Sequence, residues 1–127
     1  MAKNSPPFPD SHPKPRRVLI VEDNQNLLAI ICELLVASGH FPFGVASAEE
    51  ALVLLKSENF DVLLTDVRLP GISGIDLALK VNQRFPAVKI IIASGYSQEL
   101  VKHINLNVIV LPKPYDLEQL QKAMLQI

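Results

Sequence analysis

The sequence predicts an α/β domain in which a five-stranded parallel sheet is covered by helices on both faces. Short apolar runs alternate with segments of helical periodicity along the chain, which is the pattern of parallel sheets with helical crossovers. The apolar residues, nearly half of the total, are mostly Val, Ile, Leu and Ala rather than aromatics. The chain has 127 residues, so we expect one domain.

Composition excludes several classes of protein. A net charge of −1 gives no electrostatic argument for binding nucleic acid or an anionic membrane. Cys32 is the only cysteine, so an intramolecular disulfide is impossible. The longest apolar runs are too short to span a bilayer, and the N-terminus carries prolines where a secretory signal has an apolar core. We therefore expect a soluble, cytoplasmic protein.

The chain begins with a proline-rich segment. Residues 1–15 hold five prolines among small polar residues and show no periodicity, which predicts a flexible tail. The pattern changes at Arg17, so we place the folded domain at residues 16–127.

The first predicted strand is the run VLIV at 18–21, which is entirely apolar, as expected for a strand covered on both faces. Asp23 or Asn24 can cap the helix that follows, and Gly39 ends it. Residues 41–45 predict a second, weaker strand.

A second helix is predicted from Ser47, because Glu50 follows it at the capping-box spacing. The run DVLLT at 61–65 predicts the third strand, which ends at Asp66. The loop LPGISG comes next, and a third helix is expected to end before Pro86.

Three further segments complete the alternation. The fourth strand is predicted at 89–93, a short fourth helix at about 98–103 and the fifth strand at 107–111. A last helix follows at 116–126, with Asp116 as its cap.

Chemically active side chains stand directly after four of the five predicted strands. Glu22 and Asp23 follow the first, Asp66 the third, Ser94 the fourth and Lys113 the fifth. Ligands of such sheets bind at the carboxyl ends of the strands, so these residues should converge. Each alone has an ordinary explanation, such as a helix cap, a turn or a solvated lysine, but their conjunction favours a site.

Carboxylates brought together at neutral pH need raised pKa values or a cation. Oxygen ligands with open positions suit Mg²⁺, which keeps waters for phosphate oxygens. A metal held by Asp23 and Asp66 would orient a phosphoryl donor, and Asp66 could attack phosphorus. Lys113 would supply a second cation, and Ser94 could donate a hydrogen bond to a phosphoryl oxygen.

Four segments, VLIVEDN, LLTDVRLPGISGIDL, IIASGY and LPKPYDLEQL, resemble the signatures of the receiver domain of two-component response regulators. They occur in the family's order, and the resemblance extends from Arg17 to the C-terminus. It implies a flavodoxin-like sheet with strand order 2-1-3-4-5. It also implies a signalling module that is not an enzyme in its own right.

The resemblance implies a role for each site residue. Asp66 matches the phosphoacceptor; Asp23 would bind Mg²⁺ directly, Glu22 mainly through water, and Arg68 through its main-chain carbonyl. Ser94 matches the switch hydroxyl. Lys113 matches the family's lysine, whose bond to Pro114 is expected to be cis. The donor would be a phosphohistidine on a sensor histidine kinase or a histidine phosphotransfer protein, and the downstream protein target is left open.

Three departures from the family concern how the signal is read. Val110 stands where receivers commonly carry Tyr or Phe, so the aromatic rotamer switch cannot operate in its usual form. The stretch 94–113 is shorter than usual, which predicts an abbreviated fourth helix on a face where many receivers dimerise. No output domain follows the last helix, so we expect either a single-domain protein or a piece of a larger one. The segments SGYS and LPKP resemble those of receivers attached to hybrid sensor kinases more than those of receivers fused to DNA-binding domains.

Arg68 and Tyr96 lie two residues beyond the acceptor and the switch hydroxyl. Side chains at these places flank the path of the water that hydrolyses the acyl phosphate. We predict that these bulky residues slow self-dephosphorylation.

Three other functions are alternatives to phosphate-dependent signalling. An aspartate-nucleophile phosphatase of the haloacid-dehalogenase type needs a second acid two residues after the nucleophile, where this chain has Arg68. A receiver used as a phosphorylation-independent interaction domain would be favoured by missing site residues, and none is missing. A nucleotide-binding domain is disfavoured because no GxGxxG or GxxxxGK[ST] motif is present.

Overall fold

The structure, a computed structural model, describes residues 14–95 and 107–127. Within this part of the chain the strands are β1 (Arg17–Val21), β2 (Phe41–Val45), β3 (Val62–Asp66), β4 (Lys89–Ser94) and β5 (Val108–Pro112). The helices are α1 (Gln25–Ala37), α2 (Ala48–Ser57), α3 (Gly74–Arg84) and α4 (Leu117–Leu125). The tail 1–13 and the predicted short helix at 98–103 lie outside the described residues.

All strand pairs are parallel, and the sheet order is β2-β1-β3-β4-β5, as predicted. Side chains alternate along each strand, so β1, β3, β4 and β5 each contribute residues to two cores, whereas the edge strand β2 contributes to one. One core lies under α2 and α3 and includes Leu19, Leu63 and Ile92. The other lies under α1 and α4 and includes Ile20 and Leu64. The sheet is therefore covered on both faces, and its central strand β3 ends at Asp66.

Helix starts follow local capping chemistry. Asn24, rather than Asp23, is the N-cap of α1, since its side chain accepts a hydrogen bond from the Leu27 amide. Ser47 caps α2 and Ser73 caps α3 in the same way. Asp116 forms a complete capping box with Gln119 at the start of α4. The Asp23 carboxylate is therefore not the N-cap of α1 and is available to bind another group.

The amino ends of the strands lie opposite the carboxyl edge, and they bring the two described ends of the chain together. The guanidinium of Arg16 donates to the main-chain carbonyl of Ile127 at 3.4 Å. The Arg16 amide donates to Nδ1 of the buried His40 at 3.1 Å, and burial lowers the pKa of this histidine, with a smaller contribution from Arg16. This edge holds structural contacts rather than the predicted site residues.

No helix in the described part of the chain combines the length and the apolar character that a membrane crossing requires.

Candidate functional site

The predicted site residues meet at the carboxyl edge of the sheet. Asp66 ends β3, Glu22 follows β1 directly, and Lys113 follows β5. The Lys113 ammonium lies 3.1 Å from Asp66 Oδ2 and 3.4 Å from Glu22 Oε1. One cation therefore bridges two carboxylates that come from different strands.

Glu22 is only 4% exposed, and each of its two carboxylate oxygens has a partner. One carboxylate oxygen faces Lys113, while the other accepts from the Asn24 amide at 3.0 Å. Its own amide donates to the Val45 carbonyl at 3.1 Å, which fixes the backbone to the end of β2. A buried carboxylate is tolerated when it is paired and hydrogen-bonded in this way.

Asp23 adds a third acid at the solvent side of this cluster. It is exposed, and one oxygen from each of Glu22, Asp23 and Asp66 lies within 4.8 Å of the others. Lys113 offsets only part of their combined negative charge, so the cluster attracts a further cation. Three carboxylates with one open to solvent are a donor set that fits a hard divalent cation such as Mg²⁺.

Ser94 ends β4 and is 5% exposed. Its carbonyl accepts from the Lys113 amide at 2.8 Å, which fastens the backbone of the lysine to the end of β4. The structure thus places Ser94 beside Lys113 on the edge where the acids lie. The peptide bond between Lys113 and Pro114 is cis, as the resemblance predicted.

Arg68 is exposed in the loop that follows β3, two residues beyond Asp66. Val110 lies on β5 opposite Ile92 and packs half-buried against the core under α2 and α3. Tyr96 lies outside the described residues. The roles assigned to all these positions remain predictions, although the geometry brings the acids, Ser94 and Lys113 together.

Tyr115 belongs to this neighbourhood, although no role is assigned to it from the sequence. Burial raises the pKa of its hydroxyl to about 12, and the nearby carboxylates of Glu22 and Asp66 contribute in the same direction. Tyr115 lines a groove of about 370 Å³ together with Lys113, Pro114 and an apolar face of α1 (Leu27, Ile30, Ile31 and Leu34). Its position two residues after Lys113 was the only hint in the sequence.

The comparison with protein families defines the class to which this sheet and acidic site belong. The family described as the response regulator receiver domain matches residues 18–125. That match spans most of the chain and contains every site residue described above. The chain belongs to the receiver domain family of two-component response regulators.

Curated relatives agree with this assignment. The chain is 34% identical over 80 residues to the response regulator protein FleR of Pseudomonas aeruginosa, which covers 63% of this chain and 17% of FleR. It is 30% identical over 105 residues to the DNA-binding transcriptional regulator NtrC of Salmonella typhimurium, which covers 80% of this chain and 22% of NtrC. The chain thus spans less than a quarter of the length of either relative.

Solved structures share the fold over nearly the whole chain. The response regulator TrrA of Thermotoga maritima, solved in complex with Mg²⁺–BeF, superposes with a TM-score of 0.80 at 26% identity and covers 87% of this chain and 97% of its own. The signal receiver domain of an HD domain-containing protein of Pseudomonas fluorescens gives a TM-score of 0.81 at 27% identity, covering 89% and 94%.

Proposed function

We propose that this receiver domain takes a phosphoryl group onto Asp66 in a Mg²⁺-dependent step and signals by the change that follows. The observation that supports this most directly is the position of Asp66. It ends the central strand, lies within 4.8 Å of two other acids, and faces the ammonium of Lys113 at 3.1 Å. An acceptor so placed has a metal-binding face and a cationic face at once.

Asp23 and Asp66 would hold Mg²⁺ directly, Glu22 mainly through water, and the main-chain carbonyl of Arg68 would be a further ligand. The separations among the three carboxylates support this set. The complex of TrrA with Mg²⁺–BeF supports it by analogy. When bound, the ion supplies charge neutralisation and orients the oxygens of the incoming phosphoryl group.

An oxygen of Asp66 attacks phosphorus and forms a P–O bond, while the P–N bond of the donor phosphohistidine breaks. The electron pair of that bond returns to the imidazole nitrogen, and the product is an acyl phosphate on Asp66. Lys113 places its positive charge on the transferred oxygens. Ser94, at the adjacent strand end, donates a hydrogen bond to one of them.

The donor would be a sensor histidine kinase or a histidine phosphotransfer protein, and the protein would act in the cytoplasm. Output would then be contact with a protein target, dimerisation or onward phosphotransfer. Because Val110 is an aliphatic residue packed against the core, the response would pass through Ser94 and its loop rather than through an aromatic side chain on β5.

Incubation with acetyl phosphate and Mg²⁺ tests the proposal, with the added phosphate mass as the readout. We expect wild type to gain one phosphoryl group and Asp66→Asn to gain none. Asp76→Asn is the matched control, because Asp76 is an exposed acid in the first turn of α3. Failure of the wild type to react with either acetyl phosphate or a phosphohistidine protein contradicts the proposal.

Arg68 should prolong the life of the phosphorylated state, since it is exposed two residues beyond Asp66, where a bulky side chain would flank the path of the attacking water. We expect Arg68→Asn to shorten the half-life of the acyl phosphate, measured after removal of the donor. Arg84→Asn, which changes an exposed arginine in the last turn of α3, should leave it unchanged. An unchanged or longer half-life in Arg68→Asn would count against this role. Tyr96→Ala offers the parallel measurement at the second predicted position.

The alternative of a haloacid-dehalogenase-type phosphatase gains no support. That class needs an acid two residues after the nucleophile, where this chain has Arg68, and the matching family is the receiver domain. If Asp66 stayed unmodified in the acetyl phosphate experiment, the result would favour a phosphorylation-independent interaction domain.

A further inference from the structure

A short contact network at the junction of β3 and α3 holds the main chain of Asp66. The hydroxyl of Thr65 donates a hydrogen bond to the Asp66 carbonyl at 3.0 Å. Gly74, the first residue of α3, lies against the same carbonyl, and its amide donates to the Val67 carbonyl at 2.9 Å. We call these four residues (Thr65, Asp66, Val67 and Gly74) the Asp66 clasp.

The approach of Gly74 is too close for any side chain. A Cβ built on it would overlap the Asp66 carbonyl oxygen and would lie 3.1 Å from Thr65 Oγ1. Helix α3 therefore starts in direct contact with the acceptor's backbone. Because the oxygen is contacted by Gly74 and hydrogen-bonded to Thr65, the peptide plane that follows Asp66 has little freedom to rotate.

Thr65 is an exception to the composition of β3. It is 1% exposed, and the other residues that precede Asp66 in the strand are aliphatic. Valine would fill nearly the same space without a hydroxyl to desolvate. Since burying a hydroxyl is unfavourable unless it is hydrogen-bonded, its bond to the Asp66 carbonyl gives this side chain a specific task.

Fixing that peptide plane fixes the direction in which the Asp66 side chain leaves the backbone. The Val67 amide donates to the Ala93 carbonyl at 3.3 Å, so the next residue is also held, by β4. The Asp66 carboxylate must meet Lys113, the metal face and an incoming phosphorus atom in one orientation. In-line transfer is sensitive to such alignment.

We propose that Thr65 is a positioning residue for phosphoryl transfer: its hydroxyl, through the Asp66 carbonyl, orients the acceptor carboxylate. This rests on the proposed function of Asp66 as the phosphoacceptor. Thr65 does not touch the phosphoryl group or the metal, so its effect is on the rate of transfer and on the affinity of the site for Mg²⁺.

The test compares two substitutions that keep the shape of β3. Thr65→Val removes the hydroxyl and keeps the volume, whereas Thr65→Ser keeps the hydroxyl and removes a methyl group. From the usual contribution of one hydrogen bond, we expect Thr65→Val to slow modification by acetyl phosphate by about three- to tenfold at saturating Mg²⁺. Thr65→Ser should stay within about twofold of wild type, which a role in packing alone would not produce.

Two additional measurements keep the outcomes distinct. Urea unfolding shows whether each variant is folded, and if Thr65→Val is not, Thr65→Ala and Thr65→Ser form the pair instead. Mg²⁺ binding, followed by the NMR shift of the Val67 amide, needs no phosphoryl group. We expect it to be weaker in Thr65→Val than in Thr65→Ser.

Equal phosphorylation rates and equal Mg²⁺ affinities in Thr65→Val and wild type overturn the positioning role and leave the proposed function intact. A wild type that takes no phosphate overturns the proposed function. A Thr65→Ser variant that is as slow as Thr65→Val also overturns the inference, because the hydroxyl would then be irrelevant.

Discussion

At the scale of single residues, the site is a balance of charges around one ammonium group. Lys113 bridges the buried Glu22 and Asp66, the proposed acceptor, while Asp23 remains open to solvent. Burial raises the pKa of the neighbouring Tyr115 hydroxyl, and the carboxylates of Glu22 and Asp66 raise it further. The acids that would attract a metal therefore also contribute to a titration that can be followed without one.

The Tyr115 hydroxyl makes protein stability depend on pH in alkali. Its pKa is raised to about 12, against about 10 in an unfolded chain. Between these values the unfolded chain loses the proton and the folded protein keeps it. The free energy of unfolding should therefore be unaffected by this group below pH 10 and fall by on the order of 2–3 kcal/mol as the pH rises through 12.

Urea unfolding of wild type and Tyr115→Phe at a series of pH values measures this effect, since the variant lacks the titrating group. The chain has two tyrosines, so absorbance titration in a Tyr96→Phe background follows Tyr115 by itself. Parallel pH profiles for wild type and Tyr115→Phe would contradict the assignment.

Which residues converge could be predicted, because parallel strands present their carboxyl ends at one edge. Their hydrogen-bond partners could not. Asn24 rather than Asp23 caps α1, and the Asn24 amide donates to Glu22. Tyr115 lies close enough to Glu22 and Asp66 for them to affect its pKa. All three facts depend on the backbone geometry at the ends of loops. Sequence spacing does not encode that geometry.

At the scale of elements, two glycines constrain the connection between β3 and α3. Gly71, within the loop, has φ +75°, and the Glu49 carboxylate at the start of α2 lies against it. Gly74, the first residue of α3, contacts the Asp66 carbonyl. The connection therefore depends on glycine twice, for a left-handed backbone at Gly71 and for close approach at Gly74.

Glycine substitutions on two sides of the site should differ sharply. Gly74→Ala puts a methyl group where the Asp66 carbonyl oxygen lies, so we expect a loss of about 3 kcal/mol or more in the free energy of unfolding. Gly95→Ala is the matched control. A Cβ there would meet Lys113 Cβ at 3.9 Å, which is an ordinary contact, and the cost should be within about 0.5 kcal/mol.

Urea denaturation of both variants decides between these expectations, with the m-value as a check that the native state is unchanged. Similar unfolding free energies for Gly74→Ala and Gly95→Ala would show that α3 can move away from the acceptor at little cost.

Most elements could be predicted from apolar runs and caps, because the central strands β1, β3 and β4 are buried on both faces and the helices are capped by Ser, Asn or Asp. The differences are confined to the ends. The third strand was predicted from Asp61, whereas it begins at Val62, one residue later. The domain limits of 16–127 and the shortened fourth helix stay predictions.

At the scale of the whole molecule, the acidic cluster links cation binding to global stability. Three carboxylates held together by folding repel one another, and Lys113 offsets part of that repulsion. An ion that binds only the folded state stabilises it by mass action. The site should therefore make the folded protein respond to Mg²⁺ even without phosphate.

Asp23→Asn separates repulsion from ion binding. Without Mg²⁺ the variant should be more stable than wild type, because one of the three clustered charges is removed. With Mg²⁺ at about one hundred times its dissociation constant, wild type should gain about 2.7 kcal/mol, and the variant should gain little at the same concentration.

Thermal or urea unfolding with and without Mg²⁺ measures both effects, and Asp76→Asn serves again as the control outside the cluster. A wild type whose stability does not change with Mg²⁺ would remove the support for a metal site here.

The contact between Arg16 and Ile127 has a practical consequence for anyone who joins this domain to another protein. Both described ends of the chain lie at the amino edge of the sheet, on the far side from Asp66 and Lys113. A tag or a surface tether attached near Arg16 or Ile127 would leave the acidic edge accessible. A pair of fluorophores attached near these two residues would start close together, so they would report unfolding better than phosphorylation.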